Sequence, residues 1–221
     1  MKPGPIAAFF DFDKTLVEVE SGRMAFRWLW DRRTIIPGYM VKVIAASLLY
    51  KTRIIPEDRF IRVLLTFYRG RRLEEFQQGA EGFYREYLQP YLAPAIVSRL
   101  NFHRKEGHLL VLVSGSLRYI LEPAARDLGF HEILSTDLEQ GSDGILTGRP
   151  VGSVCVGEEK SVRTLALARE GGLNLEASYA YGNNHPDIPL LELVGHPHAV
   201  EPTSTLEKVA RKKGWPIIRY R

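Results

Sequence analysis

Residues 6–16 read Ile6-Ala7-Ala8-Phe9-Phe10-Asp11-Phe12-Asp13-Lys14-Thr15-Leu16. A continuous apolar run stops abruptly at an aspartate. Such a run is the pattern of a strand buried on both faces, as strands of parallel sheets are. Two carboxylates, two residues apart, then stand just past the carboxyl end of a strand, where open α/β sheets bind ligands.

Working outward, Leu109-Leu110-Val111-Leu112-Val113 is a second such run, followed by Ser114-Gly115-Ser116. Ala177 to Tyr181 is a third, followed by Gly182-Asn183-Asn184-His185-Pro186-Asp187. Shorter strands are expected at Ile133-Leu134 and His198 to Val200. Helical patterns at Tyr119–Leu128, Lys160–Arg169 and Thr205–Lys213 each stop at glycine, namely Gly129, Gly171-Gly172 and Gly214. Glycine suits the left-handed residue that ends a helix. The alternation predicts the α/β class with a parallel sheet. Asp143-Gly144 predicts a hairpin turn.

Residues 18–92 break the alternation. Ser21 is expected to cap a helix to about Arg33, and the patterns Pro37–Lys51 and Pro56–Tyr68 open on proline, which suits a helix start. Glu74–Leu88 is a fourth helix. This reads as a helical bundle inserted after the first strand, with Phe26, Trp28, Trp30, Tyr39, Phe60, Phe67 and Tyr68 as its expected core.

The chain has 221 residues, 45% apolar and 25% charged, with a net charge of +4. These are globular values that exclude disordered, collagenous and rod-like chains. The single cysteine, Cys155, excludes an internal disulfide and a cysteine-based zinc cluster. The apolar run after Met1-Lys2-Pro3 is too short for a secretion signal, and no run is long enough to span a bilayer. The chain therefore reads as soluble and cytoplasmic. Residues 18–72 hold twelve Lys and Arg against five Asp and Glu, a net of +7. That excess is a solvated face or an attraction to an anionic partner.

The strand exits and the start of the second helical pattern collect Asp11, Asp13, Ser114, Gly115, Lys160 and Asp187. Two neighbouring carboxylates can divide nucleophilic and acid/base work. Hard oxygen donors suit Mg²⁺. A hydroxyl, a free N–H and a lysine suit phosphoryl oxygens. Singly, each element is commonplace: Ser-Gly-Ser is commonly a turn, and an Asn pair a loop. Their order and placement carry the signal.

That ordered set resembles the haloacid dehalogenase (HAD) superfamily. Asp11-Phe12-Asp13-Lys14-Thr15 resembles its first motif, Val113-Ser114-Gly115 its second, Lys160 its third, and Gly182 to Asp187 its acidic fourth. The insertion is similar to the type 1 cap of subfamily IB, the phosphoserine phosphatase-like branch. The resemblance implies a Rossmann-like core of residues 1–17 and 93–221, with a cap of 18–92. It implies an Mg²⁺-dependent phosphomonoesterase acting on a small phosphorylated metabolite, phosphoserine-like or a larger acidic phosphomonoester. Asp11 would be the nucleophile and Asp13 the general acid/base. Thr15, Ser114 and Gly115 would bind phosphate, and Lys160 would bridge nucleophile and phosphoryl group. The metal would rest on Asp11, the Asp13 carbonyl and Asn183, supported by Asp187. Asp13 favours phosphate esters, because the superfamily's dehalogenases lack it. Glu20 and Arg62 lie where the branch reads the substrate's amine and carboxylate.

Two departures stand out. Asn183 replaces the usual aspartate, which predicts weaker metal binding, and Lys14 replaces a glycine or serine. Two rival readings stay open. One is a non-catalytic phosphate binder, motivated by Asn183. The other is a peripheral membrane binder, or a lipid-phosphate phosphatase, using the basic cap together with Arg211-Lys212-Lys213, Arg219 and Arg221. No nucleic-acid motif appears, no stable membrane insertion is expected, and a membrane helix calls for a cleaner basic–apolar division.

Overall fold

The computed structural model describes residues 4–220. Met1 to Pro3, part of the leader reading, and Arg221 of the basic tail lie outside the described residues. The elements run β1 (Ala7–Phe10), α1 (Ser21–Asp31), α2 (Pro37–Lys51), α3 (Glu57–Leu65), α4 (Leu73–Phe83), α5 (Pro94–Lys105), β2 (Leu109–Leu117) and α6 (Arg118–Leu128). They continue β3 (Glu132–Thr136), β4 (Leu138–Gln140), β5 (Leu146–Pro150), α7 (Glu158–Gly171), β6 (Tyr179–Gly182), α8 (Ile188–Glu192), β7 (His196–Val200), α9 (Ser204–Lys213) and β8 (Ile217–Ile218).

Six strands form one parallel sheet in the order β3-β2-β1-β6-β7-β8. The order reverses at β1, and such a switch point opens a crevice at the carboxyl ends of the strands. β1 is buried along its whole length, as its unbroken apolar run demands. Ala7 and Phe9 join one core with Val111, Ala180, Leu190 and Leu206, while Ala8 and Phe10 join the other with Leu112 and Tyr181. β4 and β5 form the expected hairpin, with Gly144 left-handed at φ 75°.

Several expectations are corrected. β2 does not stop at Val113: it runs to Leu117, which pairs with Thr136 of β3 across an irregularity in register. Ser114-Gly115-Ser116 therefore lies within strand rather than in a loop. The α3 helix ends at Leu65 and continues as a 3-10 turn, and α4 gives way to a π turn at Tyr84–Leu88. Ser21 does not cap α1: Glu20 holds that position, and its side chain makes no cap bond. Trp30 is exposed rather than core.

The chain leaves the sheet and returns to it side by side. Val17 bridges Leu92, Glu18 N–H donates to the Tyr91 carbonyl at 2.8 Å, and Ala93 N–H donates to the Leu16 carbonyl at 2.9 Å. The inserted helices share a core with the sheet's flank. Phe67, Tyr68, Phe76 and Phe83 belong to the same apolar cluster as Phe10, Leu112 and Leu121. The Tyr68 and Tyr119 hydroxyls lie 2.8 Å apart, and Tyr84 Oη donates to Asp127 at 2.5 Å.

His103 of α5 is buried beneath β6. Its Nε2 lies 2.8 Å from the Tyr181 hydroxyl, and its Nδ1 2.8 Å from His108 Nδ1. Two ring nitrogens that close share one proton. Burial, aided by His108, pushes the His103 pKa down to about 4.

Candidate active site

The crevice beyond β1 and β6 is organised by an ionic triad. Lys160, in the first turn of α7, donates to Asp11 Oδ1 at 2.7 Å and to Asp187 Oδ1 at 2.6 Å. All three side chains are at least nine-tenths buried. Thr15 Oγ1 donates to the other Asp11 oxygen at 2.8 Å, and Asp11 N–H is fixed to the Tyr181 carbonyl of β6 at 2.9 Å. Asp187 Oδ2 accepts the N–H groups of Asn183 and Asn184 at 2.9 and 3.0 Å, which folds the loop after β6 around it. Glycine is required at 182, because a Cβ there would sit 2.7 Å from Asp187 Cβ.

Burial is the main force raising the Asp11 pKa to about 7, with the Asp187 charge adding to it and Lys160 opposing it. The Lys160 ammonium is raised by its two carboxylate partners against the pull of its own burial. Asp13 is also raised, chiefly by burial. Its carboxylate is held by groups that the sequence reading assigned elsewhere. Ser21 N–H donates to Oδ1 at 2.5 Å, and the Ser21 and Ser116 hydroxyls meet Oδ2 at 3.1 and 3.0 Å. The first helix of the insertion thus begins on Asp13. Ser116 N–H donates to the buried Ser114 hydroxyl at 3.1 Å.

Gly115 lies where a Cβ would meet Val156 Cγ1 at 2.6 Å and Ile61 Cδ1 at 3.9 Å, so α3 overhangs the end of β2. From the same helix, half-buried Glu57 reaches the field of Lys160, Asp187 and Asp13, and burial raises its pKa. Tyr50 stands in the field of both Glu57 and Glu20. Glu20 is exposed and lines a cavity of about 280 Å³ with Lys14, Arg23, Met24, Arg27, Val19 and Tyr91. Arg62 is exposed on α3, 3.9 Å from Asp58.

The structure thus brings together Asp11, Asp13, Thr15, Ser114, Lys160 and Asp187. Sequence reasoning missed Ser116, Ser21 and Glu57. It also missed Tyr220, whose hydroxyl donates to the Lys14 carbonyl at 2.5 Å and pins the loop after β1. Lys14 itself is left-handed at φ 57°, a conformation that suits glycine there.

Among the described residues, no three His, Cys, Asp or Glu side chains form a metal cluster. The donor set still fits a hard cation. Asp11, the Asp13 carbonyl and the Asn183 amide supply only oxygen. Three carboxylates (Asp11, Asp13, Asp187) stand with one ammonium, Lys160, and the Asp187 charge adds to the burial that raises the Asp11 pKa.

A family model described as haloacid dehalogenase-like hydrolase matches residues 8–192. A histidinol-phosphatase of Neisseria meningitidis is 30% identical, the match covering 97% of this chain and 98% of that protein. A phosphoserine phosphatase of Mycobacterium tuberculosis is 32% identical, with 97% and 71% covered. The crystal structure of a protein of unknown function from Bordetella pertussis is 28% identical. It superposes with a TM-score of 0.88, covering 99% of this chain and all of that one.

Proposed function

This chain belongs to the haloacid dehalogenase-like hydrolases, and from that premise we propose that it hydrolyses a small, amine-bearing phosphomonoester through an aspartyl-phosphate on Asp11. The observation that carries the reading is the buried Asp11, oriented through both oxygens by Lys160 and Thr15, beside a second carboxylate of raised pKa.

In this reading Asp11 attacks phosphorus, and the bond from phosphorus to the leaving alcohol breaks. Asp13 gives that alcohol its proton, and its raised pKa suits a donor. Asp13 then takes a proton from the water that attacks the acyl phosphate, which regenerates Asp11 and releases phosphate. Lys160, Ser114 and the Gly115 N–H hold the phosphoryl oxygens. Mg²⁺ bound to Asp11, the Asp13 carbonyl and Asn183 would neutralise charge between nucleophile and phosphate. Residues 18–92 act as the cap, with Ser21 tying it to Asp13.

The amine is read from Glu57 and Glu20, two carboxylates on the cap side whose charges add to the burial that raises the Tyr50 pKa. The relatives named histidinol-phosphatase and phosphoserine phosphatase act on esters of that kind.

Hydrolysis of an aryl phosphate is measured with and without Mg²⁺, in wild type and Asp11→Asn. Mg²⁺-dependent release that the substitution abolishes is expected. No release at high Mg²⁺, in wild type or in Asn183→Asp, would overturn catalysis in favour of a phosphate-binding protein. Against histidinol phosphate and phosphoserine, Glu57→Gln should raise KM more than it does for glycerol phosphate, which lacks the amine. Equal effects on all three would remove Glu57 from substrate recognition.

A further inference from the structure

We propose that the outer face of α2 docks this protein on an anionic lipid surface. The helix Pro-Gly-Tyr-Met-Val-Lys-Val-Ile-Ala-Ala-Ser-Leu-Leu-Tyr-Lys is apolar nearly all round. Periodicity in the sequence therefore assigns it no buried face. The structure does: α2 packs on α3 and the turn after it. Tyr50 stacks on Phe60 at 5.0 Å, Tyr39 Oη donates to the Leu64 carbonyl at 2.8 Å, and Ala46 is its buried residue.

What is left outside is aliphatic. Val41, Ile44 and Leu48, spaced three and four apart on one helical face, are joined by Ile36 before the helix and Ile54 after it. All five side chains are 60–68% exposed. Soluble domains seldom leave large aliphatic side chains massed in this way unless something covers them. Among the described residues, no helix is long and apolar enough to cross a membrane, so the ridge is suited to lying on one.

Charge selects the partner. From Arg32 to Pro56 the chain carries Arg32, Arg33, Lys42, Lys51 and Arg53 and no acidic residue. Two cations precede the ridge and two follow it. None of the five enters an ion pair among the described residues. An apolar ridge bracketed by unpaired cations matches a surface of acyl chains under anionic headgroups. A second copy of the same face would set five cations against five.

The test is co-sedimentation of the full chain with vesicles of phosphatidylcholine alone or mixed with phosphatidylglycerol, read without reference to activity. Expected is at least tenfold stronger binding to the mixed vesicles, weakening as NaCl is raised. The double variant Ile44→Glu/Leu48→Glu should lose that binding tenfold or more, while its circular dichroism and its aryl-phosphate hydrolysis match wild type. Binding that ignores headgroup charge, or that survives the double variant, would overturn the proposal. So would a vesicle-free dimer that the double variant dissolves, which would give the face to a second copy.

Discussion

Replacing Lys160 by methionine isolates the ionic triad. The side chain is nearly isosteric, so packing changes little, but two short charge-assisted hydrogen bonds disappear and two buried carboxylates face each other unneutralised. Removing one partner of a buried ion pair costs about 3–5 kcal/mol. With an m-value of ~2 kcal/mol per molar urea for a chain of this size, the midpoint should fall by about 2 M at pH 8 in EDTA. The loss has a pH signature. Asp11 already titrates at about 7, above its unfolded value of 3.8. Without the lysine it moves higher still. A carboxyl whose folded pKa is raised binds more protons folded than unfolded, so stability falls as pH rises toward the folded pKa. The deficit of the variant should therefore be largest at pH 8 and shrink toward pH 5, where Asp11 takes up a proton. The assay is urea unfolding followed by circular dichroism at pH 5, 6.5 and 8. A variant as stable as wild type at pH 8, or a deficit that stays constant with pH, would refute the triad as a buried charge cluster.

Three further outcomes are expected. Asn183→Asp should lower the Mg²⁺ concentration for half-maximal hydrolysis roughly tenfold by adding a charge to the donor set; an unchanged requirement removes residue 183 from the metal site. Gly182→Ala drives a methyl against Asp187, which should cost about 1–3 kcal/mol in thermal unfolding and reduce turnover at least tenfold; a normal rate would mean that Asp187 need not stay where it is. His103, held near pKa 4 against 6.5 unfolded, contributes stability that is complete above pH 6.5 and is lost as pH falls toward 4, up to about 3 kcal/mol. Urea midpoints in His103→Gln should accordingly vary less with pH over that window than in wild type, and equal slopes would place the acid sensitivity elsewhere.

What was legible in the sequence was whatever local chemistry dictates. The run Ile6 to Phe10 had to be a doubly buried strand, and the structure buries Ala7 through Phe10 completely. Gly129, Gly172 and Gly214 end their helices in the left-handed region. Asp11, Lys160 and Asp187 could be gathered on paper because each follows a strand or starts a helix. The rest depends on distant contacts. Ser114-Gly115-Ser116 has turn composition, and pairing of Leu117 with Thr136 carries the strand through it. Ser21 looks like a cap and instead serves Asp13, 8 residues away. Tyr220 reaches the loop after β1 from 206 residues downstream, and no spacing rule anticipates it.

The shared core between the inserted helices and the sheet bears on modularity. Phe67, Tyr68 and Phe76 pack in the same cluster as Tyr119 and Leu121, and the Tyr68–Tyr119 and Tyr84–Asp127 contacts seal the seam. Transplanting residues 18–92 onto a related body would therefore carry half of a jigsaw. The graft would present tyrosines cut for the flank of α6, and the donor would be left with an oily wound on that helix. Swapping specificity between members of this family is better attempted at α1 to α3, by side chains such as Glu57, the proposed reader of the amine, than by exchanging the whole insertion.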